Sequence, residues 1–346
     1  MSRLHAETAE QPAAVARLLE RVVPNLSTLR RELWRDDVSS IVLVARGSSD
    51  NAARYAQYLF GIEHRLPVAL ATPSLGSIYG VEPDFRQALV VAVSQSGQSP
   101  DVVGVLDAAR RQGRPALAIT NDPDSPLADA ATCVLELGAG PERSVAATKT
   151  YTTSLTALAL VAVAGLDTGR RRERLADLGL LPDVLETVLG LDTGAAAAGL
   201  SEVEHLLVAG RGLNYATAFE AALKIRELSG VVAEAFSPPD LLHGPIGAVS
   251  SGAAALLIAP SEPSLAGVAA LAAPLRERGA RLAVLSADAS LLAVADVPLR
   301  LPREPADWLT PVTTIVPAQR LASALAADRG RDLDAPEGLT KVTRTR

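Results

Sequence analysis

The chain has 346 residues, of which 48% are apolar and 21% are charged, and its formal net charge is −6. This length allows two ordinary domains, and the ratio of apolar to charged residues excludes an intrinsically disordered chain. Only 3% of the residues are aromatic. Because the acidic net charge gives no basic surface, we expect neither nucleic acid nor an anionic membrane as a partner. A negatively charged ligand would have to be held by local donors.

Neither an export signal nor a membrane span is predicted. Residues 1–7 are charged and lack the apolar core of a signal peptide. The longest uncharged stretch runs from Thr150 to Leu166, which is short for a bilayer span and predicts a core helix. The single cysteine, Cys133, lies in an apolar run and is predicted to be buried. We therefore expect a cytoplasmic protein.

Short apolar runs alternate with helical patterns through the first half of the chain. A helical pattern from about Gln11 to Arg35, interrupted by Pro24, comes first. Alternation of this kind is typical of a doubly wound parallel sheet, whose ligands bind at the carboxyl ends of the strands. The predicted strands are 41–45, 68–71, 88–93, 116–120 and 132–137, and a helix is predicted over 51–61.

The second half of the chain repeats the first at an offset of 165 residues. Val44-Ala45-Arg46-Gly47 matches Ala209-Gly210-Arg211-Gly212, and Ser96 and Ser99 match Ser261 and Ser264. One shared offset over most of a domain indicates a duplication. The boundary is predicted between Leu166 and Ser201, where the arginine-rich run 170–174 would form either a solvated helix face or an anion site.

The stretch from Ser94 to Ser99 (Ser-Gln-Ser-Gly-Gln-Ser) lies between a buried strand and the start of a helix. Serine hydroxyls, a glycine and the free N–H groups of a helix start together predict a phosphate-binding loop. The alternative is that these serines only cap the helix. The second copy has Pro260, Glu262 and Pro263 in this place, so we expect phosphate binding in the first copy alone.

A helix predicted over 215–230 carries Glu220, Lys224 and Glu227 on one face. The spacing is compatible with an exposed row of ion pairs. The surrounding apolar residues favour partly desolvated groups that could take up and return protons. His243 lies in a turn with an adjacent Gly-Pro pair, which suits a positioned side chain.

With these motifs in their order, the chain resembles the sugar isomerase (SIS) family, in particular the double-SIS isomerase half of glucosamine-6-phosphate synthase and its stand-alone relatives. The matching segments span nearly the whole chain. They are 10–12 (Glu-Gln-Pro), 47–49, 94–99, 145–149, 220–227, 243–245 and 339–341.

The resemblance implies a role for each matching residue. Ser49, Ser94, Gln95, Ser96 and Ser99 would bind the sugar phosphate. Four further residues would shape the pocket: Gly47, Ser48, Val145 and Ala147. Glu227 would move the proton between C1 and C2, with Lys224 and Glu220 near it. His243 would open the sugar ring in the partner subunit of a homodimer with a shared active site, and Lys341 would form a Schiff base with an open-chain ketose. The resemblance requires no metal and no cofactor.

The implied architecture is α/β, with two tandem SIS domains that each contain a doubly wound, mainly parallel sheet flanked by helices. The expected layout is an N-terminal helical segment (1–36), a first SIS domain with the phosphate-binding loop (37–180) and a second SIS domain with the catalytic helix (200–335). Residues 336–346 are expected to form a C-terminal tail over the active site.

Two departures from the synthase pattern bear on the substrate. Arg46 and Gln98 replace the residues usual at their positions, and Arg46 is expected to place an extra cation near the pocket. The glutaminase half of the synthase has no counterpart in this sequence, so we expect no production of ammonia from glutamine.

The leading functional hypothesis is an amino-sugar 6-phosphate isomerase or deaminase, for example one that converts glucosamine 6-phosphate to fructose 6-phosphate and ammonia. The same C2 proton abstraction would allow loss of the C3 hydroxyl, so a dehydratase of an N-acetylamino-sugar 6-phosphate is an alternative, as is a fructosamine-phosphate deglycase. A hypothesis from another class is a non-catalytic phosphosugar sensor, which would not need Glu227 and Lys341 together.

Overall fold

The computed structural model describes residues 2–341 of the chain. These residues form two compact units. We call them the first-copy unit, which contains residues 13–142, 149–179 and 340–341, and the second-copy unit, which contains residues 2–12, 143–148 and 180–339. The N-terminal helix Arg3–Ala9 therefore belongs to the second-copy unit, although the first-copy sheet follows it in sequence.

Each unit contains one five-stranded sheet in which all neighbouring strands are parallel. The first sheet has the spatial order β2-β1-β3-β4-β5, with β1 (Ser40–Val44), β2 (Val68–Leu70), β3 (Ala88–Val93), β4 (Ala116–Thr120) and β5 (Cys133–Glu136). The second sheet has the order β7-β6-β8-β9-β10, with β6 (His205–Ala209), β7 (Val232–Phe236), β8 (Ala254–Ala259), β9 (Arg281–Ser286) and β10 (Val297–Arg300). The predicted fold class, two doubly wound α/β domains, is confirmed.

Helices connect the strands and flank the sheets. In the first-copy unit the α-helices are Gln11–Val22, which begins in the other unit, Leu26–Leu33, Ser48–His64, Ser74–Ser77, Pro100–Arg111, Pro126–Asp129, Lys149–Gly165 and Thr168–Gly179, with a 3₁₀ turn at Val23–Asn25. In the second-copy unit they are Arg3–Ala9, Leu181–Leu189, Gly194–Leu200, Tyr215–Ser229, Pro238–Leu242, Leu265–Ala269, Ala272–Glu277, Ala289–Ala293 and Thr310–Asp328, with 3₁₀ turns at Gly212–Asn214, Pro245–Ala248 and Asp307–Leu309. No helix among residues 2–341 is long and apolar enough to cross a bilayer.

Burial along the strands explains why the sequence pattern located them. Every residue of β3 and β4 is buried, as expected for central strands covered on both faces. The strand β5 forms the sheet edge and is only partly buried. Cys133, which begins this strand, is half-buried, so the prediction of a buried cysteine is wrong because the apolar run lies at an edge.

The strand registers support the duplication in detail. Val42 lies opposite Val90 in the first sheet, and Leu207 lies opposite Ala255 in the second, so both strands keep the offset of 165 residues. The helices that follow β1 and β6 end at His64 and Ser229, again 165 residues apart. Residues on these helices can therefore be paired between the two copies one by one.

The arginine-rich run 170–174 has a specific partner. Arg170 and Arg174 both bind the carboxylate of Glu63, whose side chain is 2% exposed. The pairing attaches the helix Thr168–Gly179 to the end of the helix Ser48–His64. These two arginines are therefore not a free anion site, and Arg170 and Arg172 are exposed, as expected of a solvated helix face.

Candidate active site

The serine-rich loop lies at the carboxyl end of β3 and leads into the helix Pro100–Arg111. Ser94 Oγ accepts a hydrogen bond from the Gly97 N–H at 3.1 Å, and Ser96 Oγ accepts one from the Gln98 N–H at 3.4 Å. Ser99 occupies the N-cap position, but its side chain makes no capping hydrogen bond. The alternative in which the serines only cap the helix is therefore wrong for Ser99.

Gly97 fixes the shape of this loop. Its φ is +62°, and a Cβ added there would lie 2.1 Å from Ser125 Oγ. The Gly97 carbonyl accepts a hydrogen bond from the Leu127 N–H at 3.2 Å, and the Gln95 carbonyl accepts one from the Asn121 N–H at 3.1 Å. The neighbouring connection between β4 and β5 thus holds the loop in one conformation.

A second polar turn lies beside the loop, because β1 and β3 are neighbours in the sheet. Gly47 has a φ of +57° and precedes the helix Ser48–His64, so Ser48 and Ser49 occupy its first turn. The first N–H groups of a helix lack intrahelical partners. Both turns therefore present hydroxyl and N–H donors at the same edge of the sheet, as an anion requires.

Arg46 does not bring an uncompensated cation to these turns. Its guanidinium binds Asp101 Oδ2 through Nε at 2.7 Å and Nη2 at 2.6 Å. The Asp101 side chain is 1% exposed and lies in the first turn of the helix Pro100–Arg111. The expected extra cation is therefore paired with a buried carboxylate, and the donors left for a phosphate are neutral.

The second-copy unit contains a cluster of buried charges on the helix Tyr215–Ser229. Lys224 Nζ forms an ion pair with Glu227 Oε2 and lies 3.5 Å from Glu220 Oε1. The side chains of Glu220 and Lys224 are almost fully buried, and that of Glu227 is 23% exposed. This helix packs against the helix Thr310–Asp328. The alternative of an exposed row of ion pairs is wrong, and a lysine–carboxylate pair of this kind can exchange a proton with a bound molecule.

The segment 143–148 also belongs to the second-copy unit. Glu7 is buried and accepts hydrogen bonds from the backbone N–H groups of Arg143 at 2.6 Å and Ser144 at 3.1 Å. The helix Arg3–Ala9 thus fixes the segment that carries Val145 and Ala147, both half-buried.

The last two candidates lie in different surroundings. His243 is exposed and follows the short helix Pro238–Leu242. Lys341 Nζ lies 2.7 Å from Glu142 Oε2, in the first-copy unit. Glu142 is fully buried and also accepts hydrogen bonds from the Thr150 hydroxyl at 2.6 Å and the Thr150 N–H at 3.1 Å. Of the predicted tail, 342–346 lie outside the described residues.

The candidates thus form two sets, one in each unit. The first-copy unit holds Gly47, Ser48, Ser49, Ser94, Gln95, Ser96, Ser99 and Lys341. The second-copy unit holds Val145, Ala147, Glu220, Lys224, Glu227 and His243. Within residues 2–341 there is no group of three or more His, Cys, Asp or Glu side chains arranged to hold a metal ion.

A family model described as the SIS domain matches residues 36–164 and 199–328. The chain belongs to the SIS domain family. The two matched segments contain the first and the second five-stranded sheet, respectively, so the two copies are two SIS domains.

Known SIS proteins match this chain over nearly its whole length. The glutamine–fructose-6-phosphate aminotransferase (isomerizing) of Pyrococcus horikoshii is 33% identical over 343 residues, which are 97% of this chain and 56% of that protein. The C-terminal domain of glucosamine-fructose-6-phosphate aminotransferase from Francisella tularensis superposes with a TM-score of 0.86 at 25% identity, covering 97% of this chain and 98% of that one. A candidate phosphosugar isomerase from Silicibacter pomeroyi has a TM-score of 0.85 at 34% identity, covering 96% and 100%. The chain thus spans little more than half the length of the curated aminotransferase.

Three carboxylates that support the two SIS copies were not identified from the sequence. Asp101 binds Arg46, Glu142 binds Lys341, and Glu7 binds the segment that follows Glu142. The last two contacts join residues more than 100 positions apart. Of the three, only Asp101 has a recognisable sequence pattern, because an acidic residue in the first turn of a helix is a common stabilising feature.

Proposed function

We propose that this SIS protein is a phosphosugar isomerase that acts on an amino-sugar 6-phosphate and releases its nitrogen as ammonia. The observation that carries the proposal is the ion pair between Lys224 and Glu227, next to buried Glu220. A carboxylate that is partly exposed and paired with a buried ammonium is suited to proton transfer with a substrate. A protein that only senses phosphosugars has no need for such a pair.

The serine turns of the first copy supply the other requirement, an anchor for the phosphate. The anchor consists of neutral donors, namely hydroxyls at Ser49, Ser96 and Ser99 and the backbone N–H groups at two helix starts. Because Arg46 is already paired, binding would depend on hydrogen-bond geometry more than on net charge. This arrangement favours a phosphate monoester held in one orientation.

The proposed reaction begins with glucosamine 6-phosphate in its ring form. His243, supplied by the partner subunit of a homodimer, would assist ring opening to the C1 aldehyde. Glu227 would then remove the C2 proton and return it to C1, while one proton passes from the amine nitrogen to O1; this leaves an imine at C2 and a hydroxymethyl group at C1. Addition of one water molecule to the imine gives fructose 6-phosphate and one ammonia.

Lys341 would act on the open-chain ketose by forming a Schiff base at C2: its amine adds to the carbonyl with loss of one water, and hydrolysis by one water releases the ketose again. Its nitrogen is bound to Glu142, so it must leave this carboxylate or transfer a proton to it before it can attack a carbonyl. Glu142 is therefore part of the proposed catalytic arrangement of the first-copy unit.

The test is product analysis with the purified full-length chain. Glucosamine 6-phosphate, its N-acetyl derivative and a fructosamine phosphate would be supplied separately, with Glu227→Gln as the inactive control. We expect ammonia and fructose 6-phosphate from the first substrate and none from the control. No turnover of any amino-sugar phosphate would contradict the proposal.

The same panel distinguishes the alternatives by mass. Loss of water with the nitrogen retained identifies the dehydratase, and release of an amine from the fructosamine phosphate identifies the deglycase. Phosphosugar binding without any turnover would identify a sensor.

A further inference from the structure

The second copy keeps the backbone geometry of the anion-binding turn. Gly212 corresponds to Gly47, and the φ angles of the two residues are +60° and +57°. At the same offset Asn214 takes the place of Ser49, and Ser264 takes the place of Ser99. The side chains of Asn214 and Ser264 both contain hydrogen-bond donors. The second copy has therefore kept donors at two of the positions that we assign to phosphate binding in the first.

These donors already hold an anionic group, the carboxylate of Glu262. The Ser264 hydroxyl donates to Glu262 Oε1, and Asn214 lies close enough to lower the pKa of Glu262, although burial raises it more. Asn214 is fully buried and is the N-cap of the helix Tyr215–Ser229. Glu262 itself occupies the position that corresponds to Gly97 of the first copy.

The two glycine turns differ in which atoms lie next to the glycine. A Cβ added to Gly212 would lie 3.7 Å from Glu262 Oε1 and 3.6 Å from Ser264 Oγ. A Cβ added to Gly47 would meet no atom of the described residues within 4 Å. The position filled by a carboxylate in the second copy is open in the first.

We propose that the second copy retains an anion-binding site whose occupant is the carboxylate of Glu262, and that removal of this carboxylate lets a small external anion bind there. The ligand class is a carboxylate or phosphate of acetate or inorganic phosphate size. The site lies at the start of the helix that carries Glu220, Lys224 and Glu227, where Asn214 occupies the N-cap position without a side-chain capping hydrogen bond.

Other acidic groups limit which anion binds best. Asp307 lies close enough to raise the pKa of Glu262, and Glu304 Oε1 accepts a hydrogen bond from the Ser261 N–H at 2.8 Å. The Ser264 hydroxyl also lies 3.1 Å from the Arg211 carbonyl oxygen. We therefore expect a monoanion such as acetate to bind more readily than a phosphate dianion.

The experiment is thermal unfolding of the full chain with and without sodium acetate or sodium phosphate, at ionic strength matched with sodium chloride. Glu262→Ala should lower the Tm, and acetate should raise the Tm of this variant by about 3 °C more than that of the wild type. The first-copy site is unchanged in both proteins, so the difference isolates the second copy. No turnover is measured, so the result is independent of the proposed function.

Two further variants make the test specific. Glu262→Gln fills the same space without charge and should show no additional response to acetate. The double variant Glu262→Ala/Ser264→Ala lacks a donor and should lose the response. Equal acetate responses in wild type and Glu262→Ala, or a response that persists in the double variant, would overturn the proposal. Should Glu262→Ala not fold, Ser264→Ala alone must lower the Tm, and an unchanged Tm would contradict the assigned contact.

Discussion

The two SIS copies share a sheet order and a glycine turn, but they differ in the helix that follows the turn. On the helix Tyr215–Ser229 the chemistry-bearing residues are Glu220, Lys224 and Glu227. The corresponding residues on the helix Ser48–His64 are Tyr55, Leu59 and Ile62. The first copy thus has an open glycine turn and no carboxylate or lysine at these helix positions, whereas the second has three charged residues there and a carboxylate beside its glycine turn. Under the proposed function, the two copies of one fold would divide phosphate binding and proton transfer between them.

The copies also differ in the connection between the second and third strands. In the second copy Leu241, Ile246 and Val249 are buried and cover the sheet. At the offset of 165 the first copy has Gly76, Val81 and Asp84. A cavity of about 800 Å³ lies there, and Val81 is 54% exposed. The connection between the second and third strands therefore covers its sheet with buried apolar side chains in the second copy and leaves a cavity in the first.

The largest expected effect is on catalysis and concerns the two helices. Glu227→Gln should lower kcat on glucosamine 6-phosphate by about 10²–10⁴-fold, because a general base is lost while its size is kept. The matched substitution Ile62→Gln, at the corresponding position of the first copy, should change kcat less than about twofold, since Ile62 is exposed. Steady-state kinetics on both variants measures kcat. Equal decreases in kcat would contradict the proposal that only the second-copy helix carries the general base.

The sequence pattern predicted the elements well where burial is continuous. The strands β1 to β4 lie within one residue of their predicted ends, because fully apolar runs in a parallel sheet leave little choice of position. The predicted core helix 150–166 is observed at Lys149–Gly165. The strand β5 also lies within one residue of its predicted ends, but its edge position was not predicted, since an apolar run does not show whether another strand covers it.

The burial of charged residues could not be predicted in the same way. The spacing of Glu220, Lys224 and Glu227 is identical on an exposed helix, and it is the packing against the helix Thr310–Asp328 that buries them. The pairing of Arg46 with Asp101 depends equally on tertiary contacts. Residue types and order indicated the candidate chemistry, whereas burial and ion-pair partners required the structure.

The second prediction tests the filled and unfilled connections. Ile246→Ala should destabilise the protein by about 2–5 kcal/mol, because it removes a buried side chain and leaves a cavity. Val81→Ala, its counterpart in the first copy, should change the free energy of unfolding by less than about 0.5 kcal/mol, because that side chain is largely exposed. Chemical denaturation measures both. Similar losses would mean that the first-copy connection packs as tightly as the second.

A third prediction concerns the loop residue that distinguishes the anion turns. Gly97→Ala should cost about 1–3 kcal/mol, because φ is +62° and the new Cβ would lie 2.1 Å from Ser125 Oγ. The displaced loop should also raise KM for the phosphosugar about tenfold, which corresponds to about 1.4 kcal/mol of lost binding. Thermal unfolding and steady-state kinetics check the two effects.

Gly104→Ala is the control for this substitution. Gly104 lies in the helix Pro100–Arg111, and a Cβ there would meet no described atom within 4 Å. We expect unchanged KM and a gain of about 0.5–1 kcal/mol from the better helix former. An unchanged KM in Gly97→Ala as well would show that the loop does not hold the phosphate.

The smallest expected effect is the pH dependence that Glu262 contributes. Burial raises the pKa of Glu262 above its ordinary value of 4.5, and the hydrogen bonds from Ser264 and Asn214 offset only part of this. The folded protein therefore holds this proton at pH values where the unfolded chain has already lost it. As pH rises from 4.5 through the raised pKa, the wild type loses stability that Glu262→Gln retains.

The Tm of Glu262→Gln minus that of the wild type should consequently increase with pH across this window and become constant above it. All other acidic groups titrate in both proteins, so the difference reports Glu262 alone. Thermal unfolding at a series of pH values measures it. A difference that decreases with pH would mean that the donors of Asn214 and Ser264 outweigh burial.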